Sequence, residues 1–451
     1  MNKKLLVAFF LINISLNAQT TFVPDDIFEQ ALIDMGYDNP PLNNYVPTAN
    51  IENITTLNLS SLSIFDLTGI EDFSALEILY ATNNNLTSID ISQNFNLEKI
   101  IVSNNLLASL DVSNNTLLEY LICENNSIGS INLSQNIILK EFYCGQNDLF
   151  QLDVSNNPEL QIIDCSSNAL TSLDTSANNN LIALYCYGNN ISSLNVTQNA
   201  ELEMLYCYAN NLIELDVSQN TYLRFLLAPF NQISIINLTN NINLTHLDLS
   251  ENNLNSIDIT NNLSLEYLYL FSNNLLELDV TLNNQLEEVV VFNNQIDSLD
   301  FSNASQLIYL MCDTNNLESL NVRNGNNTNI SGFFAQNNPN LECIEVDDPQ
   351  YSEANWTDVD PQVVFSEDCN PLAIIDNEID NLTIYPNPFN DKIFIEYSEN
   401  IKIIQLYDML GKLELETTQK ILELNHLAQG VYILKVIHKN GAFQNFKIIK
   451  N

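Results

Sequence analysis

Hydrophobic and polar positions recur along most of the chain with a period of 21 residues. One unit reads L-x-x-L-x-C-x-x-N-x-L-x-x-L-D-V-S-x-N-x-x, and the copy from Leu202 to Asn220 follows it closely. Twelve units run from Leu76 to about Asn327, and an asparagine occupies the ninth position of all twelve. A fixed period of this length indicates a repeat architecture, in which each unit packs only against its neighbours.

Each unit consists of two similar halves. The segment from Leu86 to Asn94 has the same spacing of apolar residues and asparagine as the segment from Leu76 to Asn84. This pattern predicts one short strand per half, closed by an asparagine that turns the chain and bonds backbone groups inside the coil. Since both sides of the coil stack at the strand spacing of roughly 4.8 Å, we expect a β-rich, fairly straight solenoid with two short strands per coil, about 60 Å long over twelve coils.

The apolar ends of a solenoid need caps. Residues 24–36 combine a proline and acids in the first turn with apolar residues at helical spacing and a closing glycine, which predicts a capping helix. It belongs to an N-terminal cap and irregular first repeat at 20–75. The solenoid then occupies 76–338, and its last coil follows a two-residue insertion. Residues 339–370 break the period, contain the single Trp356 and are predicted to form the C-terminal cap.

The repeat is absent from the last 80 residues or so. We expect a linker at 371–380 and a separate domain at 381–451. Alternating patterns separated by turns are typical of a small antiparallel β-sandwich. The predicted strands are 392–397, 402–407, 413–416, 431–437 and 443–449.

Two family resemblances follow from these motifs. The repeat resembles the leucine-rich repeat, whose L-x-x-L-x-L-x-x-N-x-L core every copy matches, often with cysteine for the third leucine. Four segments of the tail resemble the type A sorting domain of the type IX secretion system of Bacteroidota. They are YPNPF at Tyr385, YDMLGK at Tyr407, LAQGVY at Leu427 and KIIK at Lys447. By that resemblance, the tail engages the secretion machinery and carries its passenger across the outer membrane, so the protein is secreted or attached to the cell surface.

Residues 1–19 have the parts of a secretory signal peptide. Two lysines precede an apolar run from Leu5 to Ile14, and a small residue, Ala18, lies near the expected cleavage site. The run is shorter than the roughly 20 residues that span a bilayer, and no other stretch is comparable. We therefore expect export through the periplasm and no membrane span in the mature protein.

Acidic residues dominate the repeat region. Between Thr20 and Asn370 the chain has 46 acidic and four basic residues, which accounts for the whole formal charge of −42. Such a surface repels phosphate backbones and anionic membranes, which argues against a nucleic-acid partner. The hydrophobic content of 45% also excludes a wholly disordered chain. Partners should be neutral, cationic or bridged by divalent cations.

The cysteines fall into two classes. Six occupy one inward position of the repeat: Cys123, Cys144, Cys165, Cys186, Cys207 and Cys312. A metal string and a disulfide ladder are alternatives, but Leu, Val and Ala fill the same position in other copies, which favours thiols that act as small core residues. Cys343 and Cys369 bracket the C-terminal cap of an exported protein, so we expect a disulfide between them.

An acidic row accompanies the second half of the repeat. The residue before its inward apolar position is Asp or Asn in all twelve copies. Stacked carboxylates about 5 Å apart repel each other and attract hard cations, so calcium is a possible cofactor. The candidate ligands are Asp153, Asp174, Asp216, Asp258, Asp279 and Asp300. The alternative is a solvated structural row, in which nearby hydroxyls and backbone groups satisfy the carboxylates.

Outward positions around the first strand carry a band of aromatic residues. The candidate ligand-binding residues are Tyr185, Tyr187, Tyr206, Tyr208, Phe225, Phe230, Tyr267, Tyr269, Phe271 and Phe292. Exposed rings in such number indicate a binding surface. Rings in adjacent strands also stack simply to stabilise a sheet, and this is the alternative.

Catalytic signals are sparse. His246 and Asp248 share an outward strand face, but an isolated outward histidine is usually a surface residue, and no H-E-x-x-H, G-x-S-x-G or C-x-x-C motif occurs. The sequence therefore predicts a non-enzymatic, exported protein that binds a protein or glycan through the aromatic band. The alternative is a structural or adhesive surface component bridged by calcium at the acidic row. No motif specifies the ligand, the oligomeric state or the fate after sorting.

Overall fold

The computed structural model describes residues 19–369, 382–396, 401–439 and 443–451. The predicted signal peptide, except Gln19, and the predicted linker lie outside these residues. The chain divides into two compact units, Met1–Cys369 and Asn370–Asn451, and each has its own hydrophobic core. No helix in the described part of the chain has both the length and the apolar character that a membrane crossing requires.

The first unit is a parallel β-solenoid. Each coil contributes one short strand to a 15-stranded parallel sheet, here called the long sheet. Regular neighbours pair with an offset of 21 residues, as Leu205 pairs with Leu226 and Leu226 with Leu247. The strands are Thr56–Asn58, Ile78–Tyr80, Lys99–Ile101, Tyr120–Ile122, Glu141–Tyr143, Ile162–Asp164, Ala183–Tyr185, Met204–Tyr206, Phe225–Leu227, His246–Asp248, Tyr267–Tyr269, Glu288–Val290, Tyr309–Met311, Gly332–Ala335 and Asp358–Val359.

The last coil lies within the segment predicted to be an aperiodic cap. Strand Asp358–Val359 extends the long sheet, and Val364–Ser366 extends the opposite side of the coil. A helix, Pro349–Asn355, lies between the strands of this region, and Trp356 stacks on Phe333 with ring centroids 4.1 Å apart. The solenoid continues after the sequence period ends because the hydrogen bonds between its strands join backbone groups and do not require the repeat's side chains.

The opposite side of the coil is regular in only part of the solenoid. Within residues 19–369, its strands are a pair, Leu173–Asp174 and Leu194–Asn195, and a group of four, Ser298–Asp300, Ser319–Asn321, Cys343–Glu345 and Val364–Ser366. Asparagine side chains also link the coils on this side. Asn220, for example, donates its Nδ2 to the carbonyls of Val196 and Asn199 in the preceding coil at 3.0 and 2.8 Å.

The ninth-position asparagines bond backbone groups inside the coil, as the sequence predicts. Asn210 donates its Nδ2 to the carbonyl of Cys207 in its own coil at 3.1 Å and to that of Cys186 in the preceding coil at 2.9 Å. Its Oδ1 accepts the backbone N–H of Ile191 at 2.9 Å. The preceding residue, Ala209, has a left-handed φ of 51°. The corner thus satisfies its buried backbone groups without a helix.

The asparagines that close the second half of the repeat form another buried column. Their Nδ2 groups bond carbonyls of the preceding coil, but most of their Oδ1 atoms have no partner among the described protein groups. Asn199 is different, because the Thr175 hydroxyl donates to its Oδ1 at 2.9 Å. The unpartnered Oδ1 atoms belong to Asn94, Asn115, Asn136, Asn157, Asn178, Asn220, Asn241, Asn262 and Asn283.

Replacing Thr175 by valine should lower the free energy of unfolding by about 1 kcal/mol, because Asn199 loses its donor. The matched change is Val196→Thr, which places a hydroxyl 24 residues before Asn220, the offset that joins Thr175 to Asn199. This variant should be neutral or more stable than the parent. Urea unfolding of both variants measures the difference. An equal loss of unfolding free energy in the two variants would contradict the role of the hydroxyl–asparagine hydrogen bond.

The structure places the cysteines in the two predicted classes. Cys343 and Cys369 form a disulfide, which confirms that prediction. The six repeat cysteines are free and buried in the solenoid core. Burial raises the pKa of Cys123 and of Cys207 to about 12, so these side chains stay neutral thiols. They therefore pack as small core residues.

The predicted N-terminal helix spans Asp26–Asp34. The Oδ1 of Asp25 caps it by accepting the N–H groups of Ile27 and Phe28 at 2.9 and 3.0 Å. Phe28 is fully buried and its ring lies 6.4 Å from that of Phe73, so the helix covers the start of the solenoid core. The remaining elements nearby are the antiparallel strands Thr20–Phe22 and Tyr45–Pro47, helix Thr48–Ile51 and 3₁₀ helix Ile70–Asp72; another 3₁₀ turn is Asn327–Asn329.

The second unit is built from two antiparallel sheets, as predicted. One sheet consists of Thr383–Tyr385, Lys392–Glu396 and Ile421–Glu423, in that order. The other has the order Leu413–Thr417, Ile401–Asp408, Gly430–His438 and Phe443–Lys450. Buried residues from both sheets, including Ile393, Leu406 and Leu434, form one core. The sequence pattern missed the short strands at 383–385 and 421–423.

Candidate functional site

Outward side chains on the long sheet form three columns, which we call the strand face. In one coil they are the first and third strand residues and the residue two positions further, as in Met204, Tyr206 and Tyr208. Because neighbouring coils are offset by 21 residues, each column stacks equivalent positions at roughly 4.8 Å. Candidate rings of adjacent coils therefore lie within contact distance.

Four candidate tyrosines form a first group in two adjacent coils. Tyr187 and Tyr208 stack with centroids 4.3 Å apart and an angle of 7° between their rings. Tyr185 and Tyr206 meet edge to face at 5.0 Å, and the Tyr185 hydroxyl lies 3.5 Å from the sulfur of Met204. All four side chains are half-buried, so each keeps surface open to solvent.

A second group contains a ring that the sequence analysis did not assign to the band. His246 lies between Phe225 and Tyr267, with centroid distances of 4.5 and 4.4 Å. The ring is half-buried, and burial lowers the pKa of His246, which favours its neutral form. His246 is thus an outward residue of the strand face, as expected, but it is not isolated, because stacking on two rings removes part of it from water.

The remaining candidates extend the strand face beyond His246. Phe271 and Phe292 stack at 4.7 Å with an angle of 5° between the rings. Tyr269 lies beside them and donates its hydroxyl to Glu288 at 2.7 Å. Phe230 is separate from these stacked rings. It occupies a left-handed corner, with φ 55°, and its side chain is 56% exposed.

The first group borders an open groove of about 440 Å³. Its lining residues are Glu124, Tyr143, Asp164, Tyr185, Tyr187, Tyr206 and Tyr208. Glu124, Tyr143 and Asp164 were not among the candidate ligand-binding residues, although the 21-residue period places them in the same columns. The candidates were rings in the densest part of the band, from Tyr185 to Phe292, so the two carboxylates and Tyr143 were left out.

Burial at the groove stabilises the neutral form of Tyr143 and of Tyr208. Burial is the main cause that raises the pKa of Tyr143 and of Tyr208 to about 12. Burial, followed by the charge of Asp164, also raises the pKa of Glu124 above its usual range. The groove therefore offers phenol groups beside the two carboxyl groups of Glu124 and Asp164.

The acidic row has a local structural role. The Oδ1 of Asp153 accepts the N–H and the hydroxyl of Ser155 at 3.0 and 2.6 Å, and Asp258 bonds Thr260 in the same way. Asn195 replaces aspartate in one coil and still accepts the N–H of Thr197 at 3.0 Å, so the turn does not require a charge. The other candidate ligands accept the N–H two residues on at 2.9 Å: Asp174, Asp216, Asp279 and Asp300.

No group of three or more His, Cys, Asp or Glu side chains within the described ranges is arranged to hold a metal ion. Five of the six candidate aspartates are exposed to solvent, and Asp300 is half-buried. The turn bonds of these aspartates support the structural interpretation of the row. Calcium binding there stays a prediction.

The turn bonds predict a specific dependence on pH. Asp216 lies between Asn195 and Asn237 in the row, and hydrogen bonds from Ser218 lower its pKa below the usual 3.8. A depressed folded-state pKa contributes stability above the unfolded-state value, and this stability is lost as pH falls through the folded-state value. The melting-temperature difference between the parent and Asp216→Asn should thus be constant from pH 7 to about 4 and change below it. A difference that is independent of pH down to pH 2 would contradict this role.

Comparison with known proteins identifies the second unit. Residues 383–451 match the family described as the secretion system C-terminal sorting domain. This domain marks proteins that type IX secretion exports to the cell surface or the outside. The comparison with curated protein sequences gives no match.

Solved structures identify the fold of the solenoid as that of leucine-rich-repeat proteins. The functional domain of InlJ from Listeria monocytogenes, described as including a cysteine ladder, is 25% identical, with a TM-score of 0.68 over 96% of this chain and 99% of that one. The internalin InlF of the same organism is 20% identical, with a TM-score of 0.64 over 71% of this chain and 100% of its own. A leucine-rich-repeat protein of Leptospira interrogans is 21% identical, with a TM-score of 0.54 and coverages of 71% and 97%.

Proposed function

Because the chain combines a leucine-rich-repeat solenoid with a type IX secretion sorting domain, we propose that it is an exported, non-enzymatic binding protein. Its strand face would hold an extracellular protein or glycan. The observation that carries this proposal is the half-exposed stack of Tyr187 and Tyr208 beside the groove. Large rings on a rigid sheet supply contact area at a small cost in conformational entropy.

The fold supports binding more than catalysis. A solenoid presents a long surface built from equivalent positions, and such surfaces recognise ligands over many coils. His246 is held between two rings and contacts the hydroxyl of Thr245 at 2.9 Å. Neither contact gives it the orienting carboxylate that a general base in a triad uses.

An array of glycans and cell-surface proteins, probed with the full chain, would identify a ligand. Replacing Tyr187 and Tyr208 together by serine should then weaken binding by about 1–3 kcal/mol, the scale of hot-spot rings. Folding should lose only about 0.2–1 kcal/mol, because the two rings form one cross-strand pair. Binding isotherms and urea unfolding measure the two effects separately.

The control is the triple change of Asp153, Asp174 and Asp216 to asparagine on the acidic row. It keeps an Oδ1 acceptor at each turn, as the native Asn195 does, and should leave ligand affinity unchanged. If this control loses binding while the tyrosine variant keeps it, the acidic row is the functional surface and the proposed function is wrong.

A further inference from the structure

The groove exists because two short residues interrupt one column of the strand face. Gly145 and Ser166 lie between Glu124 and Tyr187, so this column has a gap about two coils, or roughly 10 Å, wide. Gly145 is buried, and a Cβ atom there would lie 2.9 Å from the Oγ of Ser166 and 3.1 Å from Oδ1 of Asp164. A larger residue at position 145 would therefore collide with Ser166 and Asp164 and would also fill the gap.

An aromatic face borders one side of the gap. The rings of Tyr187 and Tyr208 belong to successive coils and are nearly parallel, so their faces point along the stack of coils. Tyr208 covers one face of Tyr187, and the other face is directed over Ser166 into the gap. The face of an aromatic ring carries a negative electrostatic potential, which attracts cations.

Two carboxyl groups lie beside this ring face. Asp164 uses Oδ1 to accept the N–H and hydroxyl of Ser166 at 2.9 and 2.6 Å, which leaves Oδ2 for a ligand. Glu124 lies at the other end of the gap, and burial together with the charge of Asp164 raises its pKa. The negative charges of Glu124 and Asp164 have no basic side chain beside them in the groove, and a bound cation would stabilise these charges.

The basic residues of the solenoid region are engaged elsewhere. Residues 20–370 contain four of them, against 46 acidic residues. Their contacts are Lys99 over the ring of Tyr120 at 5.2 Å, Lys140 with Glu119 at 2.6 Å, Arg224 over Phe225 at 5.6 Å and Arg323 with Glu367 at 3.8 Å. No basic residue of the solenoid region lines the groove, so a positive charge there would come from outside this region.

We infer that the groove receives a basic side chain, preferentially arginine, from an extracellular protein partner; this inference rests on the proposed binding function. A guanidinium group can stack on the open face of Tyr187 while it donates a hydrogen bond to the Oδ2 of Asp164, and Glu124 at the far end of the gap adds electrostatic attraction. Lysine offers the charge but not the flat surface. A neutral sugar ring could also stack on Tyr187 and donate hydroxyl groups to the carboxylates, but it would not neutralise their charge or that of the strongly negative surface.

Fluorescence anisotropy with the full chain tests this inference at about 0.15 M salt, where long-range attraction is largely screened. The probe is a fluorescein-labelled peptide with two arginines, and its twin carries citrulline, a neutral analogue of similar shape, at both positions. The arginine peptide should bind at least about tenfold more tightly than the citrulline twin, because charge-assisted hydrogen bonds are roughly twice as strong as neutral ones.

Two variants isolate the groove from overall charge. Glu124→Gln with Asp164→Asn keeps the Oδ1 acceptor for Ser166 and should weaken binding of the arginine peptide about tenfold. Glu201→Gln with Glu214→Gln removes the same charge from exposed positions outside the groove and should change binding less than about twofold. Tyr187→Leu removes the ring without a charge and should weaken binding about fivefold. If the first double variant unfolds, Glu124→Gln alone provides the charge test.

Equal effects of the two double variants, equal binding of the two peptides or unchanged binding by Tyr187→Leu would each overturn the inference. The ligand found on the array separates this failure from failure of the proposed function. If the double change of Tyr187 and Tyr208 weakens its binding but Glu124→Gln with Asp164→Asn does not, the strand face binds without a basic side chain. If the tyrosine change also has no effect, the proposed function itself fails.

Discussion

A chain truncated after about Asp376 should accumulate in the periplasm, while the full chain reaches the cell surface or the medium. The match to the sorting domain covers residues 383–451, so truncation removes the part that directs type IX export. The solenoid should still fold, because its core is formed within Met1–Cys369 and each coil buries its apolar residues on its neighbours. Surface protease accessibility and cell fractionation measure the location of the truncated chain.

The matched control transfers residues 371–451 to an unrelated periplasmic reporter, which should then be exported. A folded truncated chain that appears on the surface in normal amounts would contradict the role of the tail. Degradation of the truncated chain is distinguished from retention by its level in the periplasmic fraction. Its folding is checked by resistance to protease in that fraction.

Replacement of Asn210 by alanine should lower the free energy of unfolding by about 3 kcal/mol or more. Asn210 is buried, and its side chain bonds the carbonyls of Cys186 and Cys207 and the N–H of Ile191 at 2.9 to 3.1 Å, with a longer bond of 3.3 Å to the carbonyl of Tyr208. The carbonyls of Cys186 and Cys207 keep a second asparagine as partner, but the Ile191 N–H is left without an acceptor. An unsatisfied buried group costs about 1–3 kcal/mol, and the lost hydrogen bonds add to that cost.

Asn211 is the control, because it is the adjacent asparagine and its side chain is exposed. Its replacement by alanine should change stability by no more than about 0.5 kcal/mol. Urea unfolding of the two variants under identical conditions gives the comparison. Similar small losses in both would show that the corner is held by the backbone and not by the asparagine side chain.

The sequence by itself determined the features that depend on register. A period of 21 residues places Asn210, Cys207 and Tyr208 above their equivalents in the next coil, because parallel in-register strands pair one residue with one residue. The inward and outward columns, the corner asparagines and the core position of the cysteines all follow from this rule. The disulfide between Cys343 and Cys369 and the sandwich of the tail were likewise predictable from position and motif.

The tertiary structure decided the features that depend on side-chain orientation and on backbone beyond the repeat. Register places Tyr187 beside Tyr208, but only packing shows that their rings stack nearly parallel, with centroids 4.3 Å apart. The groove arises from two short residues between larger ones, which a search for rings does not reveal. The fifteenth coil at Asp358–Val359 has no repeat signature, because backbone hydrogen bonds alone are enough to extend a sheet.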